Sequence, residues 1–265
     1  MKPFAIQSKD NPRVKHLAGL KEAKGRRKSS EFLIEGFHEF KVAREHGFEL
    51  KGLYVNTKGL QLLKAGYLEL TAGLSVFELS EVAFKKISQR ENPDGIVVLA
   101  NQKISTDLNE LDPQNNILVL ESIEKPGNNG AILRSAAAFD FNQVVFNSEK
   151  PDPFHPHVIR NSRGHSLGMK FVGSDNEATL EWAKVNHSNV CVATPDCDQM
   201  LGEFPFKTPI TIVLGSEHHG VSDFWKKNAD QNLRIPMNPI VDSLNVSISA
   251  SIVLYEVFKQ MRENH

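Results

Sequence analysis

The stretch Ile117–Arg134, ILVLESIEKPGNNGAILR, runs from four consecutive apolar residues through a polar, glycine-bearing segment into a helical pattern. An apolar run of that length between turn signals suits a strand buried on both faces, as in a parallel sheet covered by helices. Backbone amides at a strand-to-helix turn attract anions, so the segment looks like a phosphate cradle. Its glycine spacing is not that of the dinucleotide fingerprint, and the Lys-Ser/Thr pair of a P-loop is missing. What Pro126-Gly127-Asn128-Asn129-Gly130 is built to hold, with Arg134 one helical turn on, is the question the chain poses.

The same alternation continues downstream. Strands are expected at 117–121, 144–146, 169–173, 189–194, 210–214 and 232–236, and helices at 130–139, 176–187, 220–228 and 244–262. In open α/β sheets, ligands bind where loops leave the carboxyl ends of strands. Two further loops of this kind follow apolar strands: LGSEHHG (Leu214–Gly220) and IPMNPIVDSLNVS (Ile235–Ser247). Singly, each has a plain structural reading. Asn128 and Gly130 suit a turn, Arg134 suits a helix surface, and Glu217, Ser243 and Asn245 suit helix caps. Their occurrence together, in order, after apolar strands, points to one site.

The first hundred residues also alternate. Asn11-Pro12 reads as an N-cap followed by Pro at the first helical position. Val14, Leu17 and Ala18 share a face of that helix, and Gly25 is its expected stop. Strands are expected at 32–34, 53–55, 76–79 and 95–100, with helices from Phe37 to His46 and from Ser80 to Ser88. The fold class is therefore α/β, in two parts: a small domain over 1–100, a polar linker over 101–115, and a second domain over 116–265.

The net charge of -1 hides an asymmetry. Residues 1–30 carry nine Lys/Arg against Asp10 and Glu22, and the rest of the chain is acidic. Such a basic arm is either an electrostatic footprint for nucleic acid or a solvated terminus. The start has no signal-peptide pattern, and no run approaches the length of a membrane helix. With only Cys191 and Cys197 present, no disulfide framework is expected. These features together suggest a cytoplasmic protein. His155, His157, His218 and His219 lack familiar ligand spacing, so no metal is expected. No G-x-S-x-G elbow supports a serine hydrolase.

The set Asn128, Gly130 and Arg134 (N-x-G-x-x-x-R), then Gly215, Glu217 and Gly220 (G-x-E-x-x-G), then Ile235-Pro236-Met237 with Ser243-Leu244-Asn245-Val246, resembles the motifs of the SpoU, or TrmH-like, family of RNA ribose 2′-O-methyltransferases. Arg160-Asn161-Ser162-Arg163-Gly164 looks like that family's R-x-S-x-G segment. The resemblance covers residues 117–262, and the N-terminal half is similar in pattern to the family's small RNA-binding domain, whose fold resembles certain ribosomal proteins. Lys125 stands where many relatives carry Asp, Asn129 where an aliphatic residue is common, and Asp242 in place of a frequent Glu.

The resemblance implies a trefoil-knotted SPOUT methyltransferase domain, S-adenosylmethionine as donor, structured RNA as substrate and a homodimer. It implies cofactor contacts from Leu214, Gly215, Ile235, Met237 and Leu244, and a catalytic group of Arg134, Asn128, Glu217, Ser243 and Asn245. Glu217 is expected to orient Arg134 through a charge-assisted bond. Arg13, Lys24, Arg26, Arg27 and Lys28 from the basic arm, with Arg160 and Arg163 near the pocket, are expected to dock RNA. The two-domain layout leans toward ribosomal over transfer RNA. A non-catalytic RNA-binding relative and a base methyltransferase remain as other readings.

Overall fold

The structure, a computed structural model, describes residues 3–147 and 152–263. Its contacts divide the chain into two units, one made of the chain up to Gln102 with Phe154–Gly168, the other of Lys103–Pro153 with Met169 onward.

The first unit runs β1 (Phe4–Ile6), α1 (Pro12–Gly19), α2 (Ala23–Ser29), β2 (Glu31–Glu35), α3 (Phe37–Glu45), β3 (Leu50–Val55), α4 (Thr57–Lys64), β4 (Val76–Leu79), α5 (Glu81–Ile87) and β5 (Ile96–Asn101). Its five strands lie in the order β1-β4-β3-β5-β2. The β1, β4 and β3 pairings are parallel, while β5 is antiparallel to both neighbours. Strand β1 and helix α4 did not announce themselves in the sequence: one is three residues long, and the other begins at a polar Asn56 cap whose side chain accepts from Gly59 N.

Asn11 caps α1 as expected, its side chain accepting from Arg13 N at 2.9 Å. Gly25 does not stop this helix. The helix ends at Gly19 and the chain re-enters helix at Ala23, with Gly25 inside α2. A Cβ on Gly25 would lie 2.1 Å from the Gly19 carbonyl oxygen, so glycine is there to let the two segments touch. Arg26 is 1% exposed, and its Nη1 donates to the Leu20 and Lys21 carbonyl oxygens at 2.7 and 2.8 Å. Those carbonyls end α1 and have no helical partner, so the buried guanidinium satisfies them. Arg26 therefore leaves the RNA-docking set, because it is committed to the interior.

The second unit begins before its first strand. Ser105 N donates to Phe171 O and Leu111 is buried, so the polar stretch 101–115 is in large part built into this unit. Then come β6 (Ile117–Glu121), α6 (Pro126–Ala138) and β7 (Gln143–Asn147). Helix α7 (Pro156–Asn161) follows and packs with β2 in the first unit. The chain returns through β8 (Lys170–Gly173), α8 (Asn176–Val185), β9 (Asn189–Ala193), β10 (Ile210–Leu214), α9 (Asp223–Asn228), β11 (Gln231–Leu233) and α10 (Val246–Glu263). The six strands are all parallel, in the order β11-β9-β10-β6-β7-β8. Every residue of β6 and β10 is buried, as their apolar runs require. These two strands are neighbours, with Leu120 beside Leu214. Among the described residues, no helix is long and apolar enough to cross a membrane.

Candidate active site

The order of the central strands brings the three unusual loops together. The chain leaving β6 enters α6 directly: Pro126 sits at the helix start, and the Pro-Gly-Asn-Asn-Gly segment is the first turn of a 13-residue helix rather than a turn preceding it. The next strand over, β10, ends in Gly215–Gly220. Beyond β9, the edge strand β11 feeds Ile235–Asn245 back to α10, which packs against α6.

The anion at the start of α6 is the protein's own. Glu217 reaches it from the β10 loop and accepts from the Glu124 and Lys125 backbone amides, both at 3.4 Å, and from Asn128 Nδ2 at 2.7 Å. A carboxylate at a helix N-terminus is favoured by the unpaired amides and the helix dipole. Burial pushes the Glu217 carboxyl up, but the bonds from Asn128 and the backbone outweigh it and hold the group below the ordinary value. Asn128 Oδ1 accepts from Asn245 Nδ2 at 3.3 Å, and Asn245 Oδ1 accepts from Ser247 N and Oγ at 2.9 and 2.7 Å. One polar chain thus links all three loops. A hydroxyl bond of 2.7 Å between Ser135 and Ser251 ties α6 to α10 behind it.

Beside this chain lies a cavity of about 530 Å³. It is lined by all five expected cofactor residues, Leu214, Gly215, Ile235, Met237 and Leu244, and by Glu217, Ser243 and Asn245. Gly215 has a geometric reason to lack a side chain: its Cβ would meet Gly220 C and O at 2.1 Å. Gly220 has φ of 65°, and its N–H donates to Ser216 O at 3.0 Å, which closes the loop on itself. The size and the apolar slot with polar ends suit a nucleoside-sized ligand, and the residues present fit S-adenosylmethionine.

Some placements differ from expectation. Arg134 is exposed on α6 and is not among the cavity-lining residues; among the described residues, no ion pair or hydrogen bond holds its side chain. Glu217 does not orient it, because Asn128 and the helix amides occupy the carboxylate. Arg160 and Arg163 are exposed and line a polar hollow within the first unit, with Glu39 and Arg90, and are not among the cavity-lining residues. Arg13, Lys24, Arg27 and Lys28 are exposed. Asn129 turns inward, its Nδ2 donating to Ile123 O.

The sequence reading also missed part of the wall. Thr194, Asp196 and Lys226 line the cavity, the last two paired at 2.9 Å, and they come from the end of β9 and from α9. Their one signal was an apolar strand ending in Thr194-Pro195-Asp196. Glu121, buried at the end of β6, accepts from Asn176 Nδ2 and Ser222 N at 2.7 and 2.8 Å and anchors the chain entering α9. Cys191 is a core thiol that burial pushes up to about 12. The Cys197 thiol is raised too, by burial before the nearby acids.

The geometry defines an α/β fold with a nucleoside-sized cavity framed by loops at the carboxyl ends of a parallel sheet. Residues 115–255 match the SpoU rRNA methylase family, and residues 11–98 match an MRM3-like substrate binding domain. The chain belongs to the SpoU rRNA methylase family. It is 30% identical, over 97% of its length and 94% of the other, to an uncharacterized tRNA/rRNA methyltransferase of Synechocystis sp.. A crystal structure of an RNA 2′-O ribose methyltransferase superposes with a TM-score of 0.81 at 36% identity, covering 98% of this chain and 100% of that one. The S-adenosylmethionine-bound rRNA methyltransferase of Sinorhizobium meliloti superposes at 0.87 with 25% identity, over 97% and 98%. The protein is an S-adenosylmethionine-dependent RNA 2′-O-methyltransferase.

Proposed function

We propose that this protein methylates one ribose 2′-hydroxyl of ribosomal RNA. The observation that carries the reading is the Glu217–Asn128–Asn245 chain set against an apolar cavity. When bound, S-adenosylmethionine supplies an electrophilic methyl on a sulfonium. Ile235, Met237 and Leu244 would flank its adenine, and Gly215 would let the backbone approach closely.

The remaining work falls to the protein. A ribose hydroxyl is a weak nucleophile until its proton leaves, and the two reactants must be aligned. Arg134 cannot be a ready base, since a guanidinium holds its proton at neutral pH. Its exposure and freedom from internal partners support a role by charge, engaging an RNA phosphate and stabilising the developing alkoxide. Glu217 and Asn128 fix the start of the helix that carries it. Ser243 and Asn245 position the loop facing the reacting ribose.

Lys24, Arg27 and Lys28 on α2, with Arg13, Arg160 and Arg163, supply the cationic surface for structured RNA. The protein acts as a homodimer: Ile248 and Tyr255 leave half their surface exposed on α10, which favours a second copy over solvent. The second unit is knotted, a reading supported by the passage from edge strand β11 back to α10 beside α6.

The test is ribose-methylation mapping of total RNA from cells with and without the gene. Loss of one 2′-O-methyl mark in ribosomal RNA is expected. Unchanged ribosomal RNA with a lost transfer-RNA mark would move the substrate, and no change anywhere would defeat the reading.

A further inference from the structure

Phe4, Phe77 and Tyr54 stand in one cross-strand row of the first unit's sheet, Phe4 opposite Phe77 on β1 and β4, and Tyr54 opposite Phe77 on β3. The rings touch in sequence. Phe4 lies 5.6 Å from Phe77, and Phe77 stacks on Tyr54 at 5.0 Å. Burial falls along the row: Tyr54 is 2% exposed, Phe77 8% and Phe4 63%. A phenyl ring left in water on an edge strand loses burial energy, and edge strands more often carry charge.

The surroundings say what would cover it. The Arg13 guanidinium lies 4.7 Å from the centre of the Phe77 ring. Lys15 and Lys86 converge on Asp10 at 3.5 and 3.9 Å, and Lys86 Nζ donates to Lys9 O. Two lysines share one acid there, past the carboxyl end of β1, while Arg13 is the cation set against the aromatic row itself. A protein partner needs a broad apolar patch, about 800 Å² a side. On β1 the exposed large apolar side chain is Phe4 alone, and the ring beside it carries the Arg13 guanidinium.

We propose that this edge is a stacking platform for an unpaired base of the substrate RNA. The base lies on Phe4, and a flanking phosphate meets Arg13. Every base has a π-face, so such a step tolerates any sequence and demands single-stranded RNA. The inference rests on the RNA-methyltransferase reading and adds the form of RNA that the first unit grips, through a residue outside the basic set.

The experiment measures binding of the full chain to a single-stranded oligoadenylate of about twelve nucleotides and to an abasic strand with the same phosphates. Phe4→Ala and Phe4→Leu are expected to weaken the first roughly 5- to 150-fold, which is one base stack expressed as affinity, and to leave the second unchanged. Phe4→Trp is expected to keep affinity, with emission quenched by RNA beyond the response of Trp182 and Trp225. Wild-type binding that is equal for the two strands, or absent, overturns the proposal. So does a Leu variant that binds like wild type, or equal losses on both strands. Cofactor binding and methyl transfer by the wild type are read separately, so failure of the enzyme reading is distinguishable.

Discussion

Glu217 and Asn128 are joined at 2.7 Å across two neighbouring loops, and through them the carboxylate closes the start of α6. Replacing the charge should loosen that start. Glu217→Gln is expected to cost about 0.3–1 kcal/mol of stability, the usual worth of a charge at a helix N-terminus, and to cut methyl transfer more than cofactor affinity. Calorimetry and single-turnover rates would separate the two effects. Wild-type turnover in this variant would remove Glu217 from the site.

The same carboxyl gives a pH signature. Its native value lies below 4.5, so its stabilising contribution is complete above pH 4.5 and is lost as pH falls through the lower native value. The gap in Tm between wild type and Glu217→Gln should be constant above pH 4.5 and close below it. A gap that persists at lower pH contradicts this assignment.

Gly215→Ala puts a methyl 2.1 Å from the Gly220 backbone, where no flexible side chain can yield. The loop must open. Overpacking of this kind costs about 1–3 kcal/mol, and isothermal titration should show cofactor binding lost by more than the fall in Tm explains.

For Arg134, both Arg134→Ala and Arg134→Lys should leave cofactor affinity intact, because the side chain is outside the cavity. Loss of transition-state charge stabilisation typically reduces kcat by about 10²–10³-fold. Lysine should restore only part, since it keeps the charge without the fork. Full activity in both variants would discard the role.

Arg26 and its neighbours should behave oppositely. Arg26→Met leaves the Leu20 and Lys21 carbonyls without their guanidinium and should cost about 1–3 kcal/mol. A triple charge reversal at Lys24, Arg27 and Lys28 should leave Tm nearly unchanged. It should also weaken RNA binding and flatten its salt dependence, by about 0.7–0.9 in log-log slope for each RNA phosphate that is no longer neutralised. RNA titrations at several salt concentrations would decide.

The sequence alone determined what depends on local periodicity and residue chemistry. The apolar runs at Ile117–Leu120 and Ile210–Leu214 predicted buried parallel strands. Asn11-Pro12 predicted its cap, and two of the three loops singled out, Leu214–Gly220 and Ile235–Ser247, supply residues that line one cavity. Tertiary structure decided what depends on distant approach. Pro126–Gly130 looked like a waiting anion cradle, because nothing in the local sequence says that Glu217, on the neighbouring strand's loop, already occupies the helix start. Arg26 looked like one more cation in a basic arm, because its burial arises only when α1 and α2 fold back across Gly25. Arg134 and Glu217 carry complementary charges, yet the parallel order β10-β6 aims the carboxylate at backbone amides and Asn128 and leaves the guanidinium exposed.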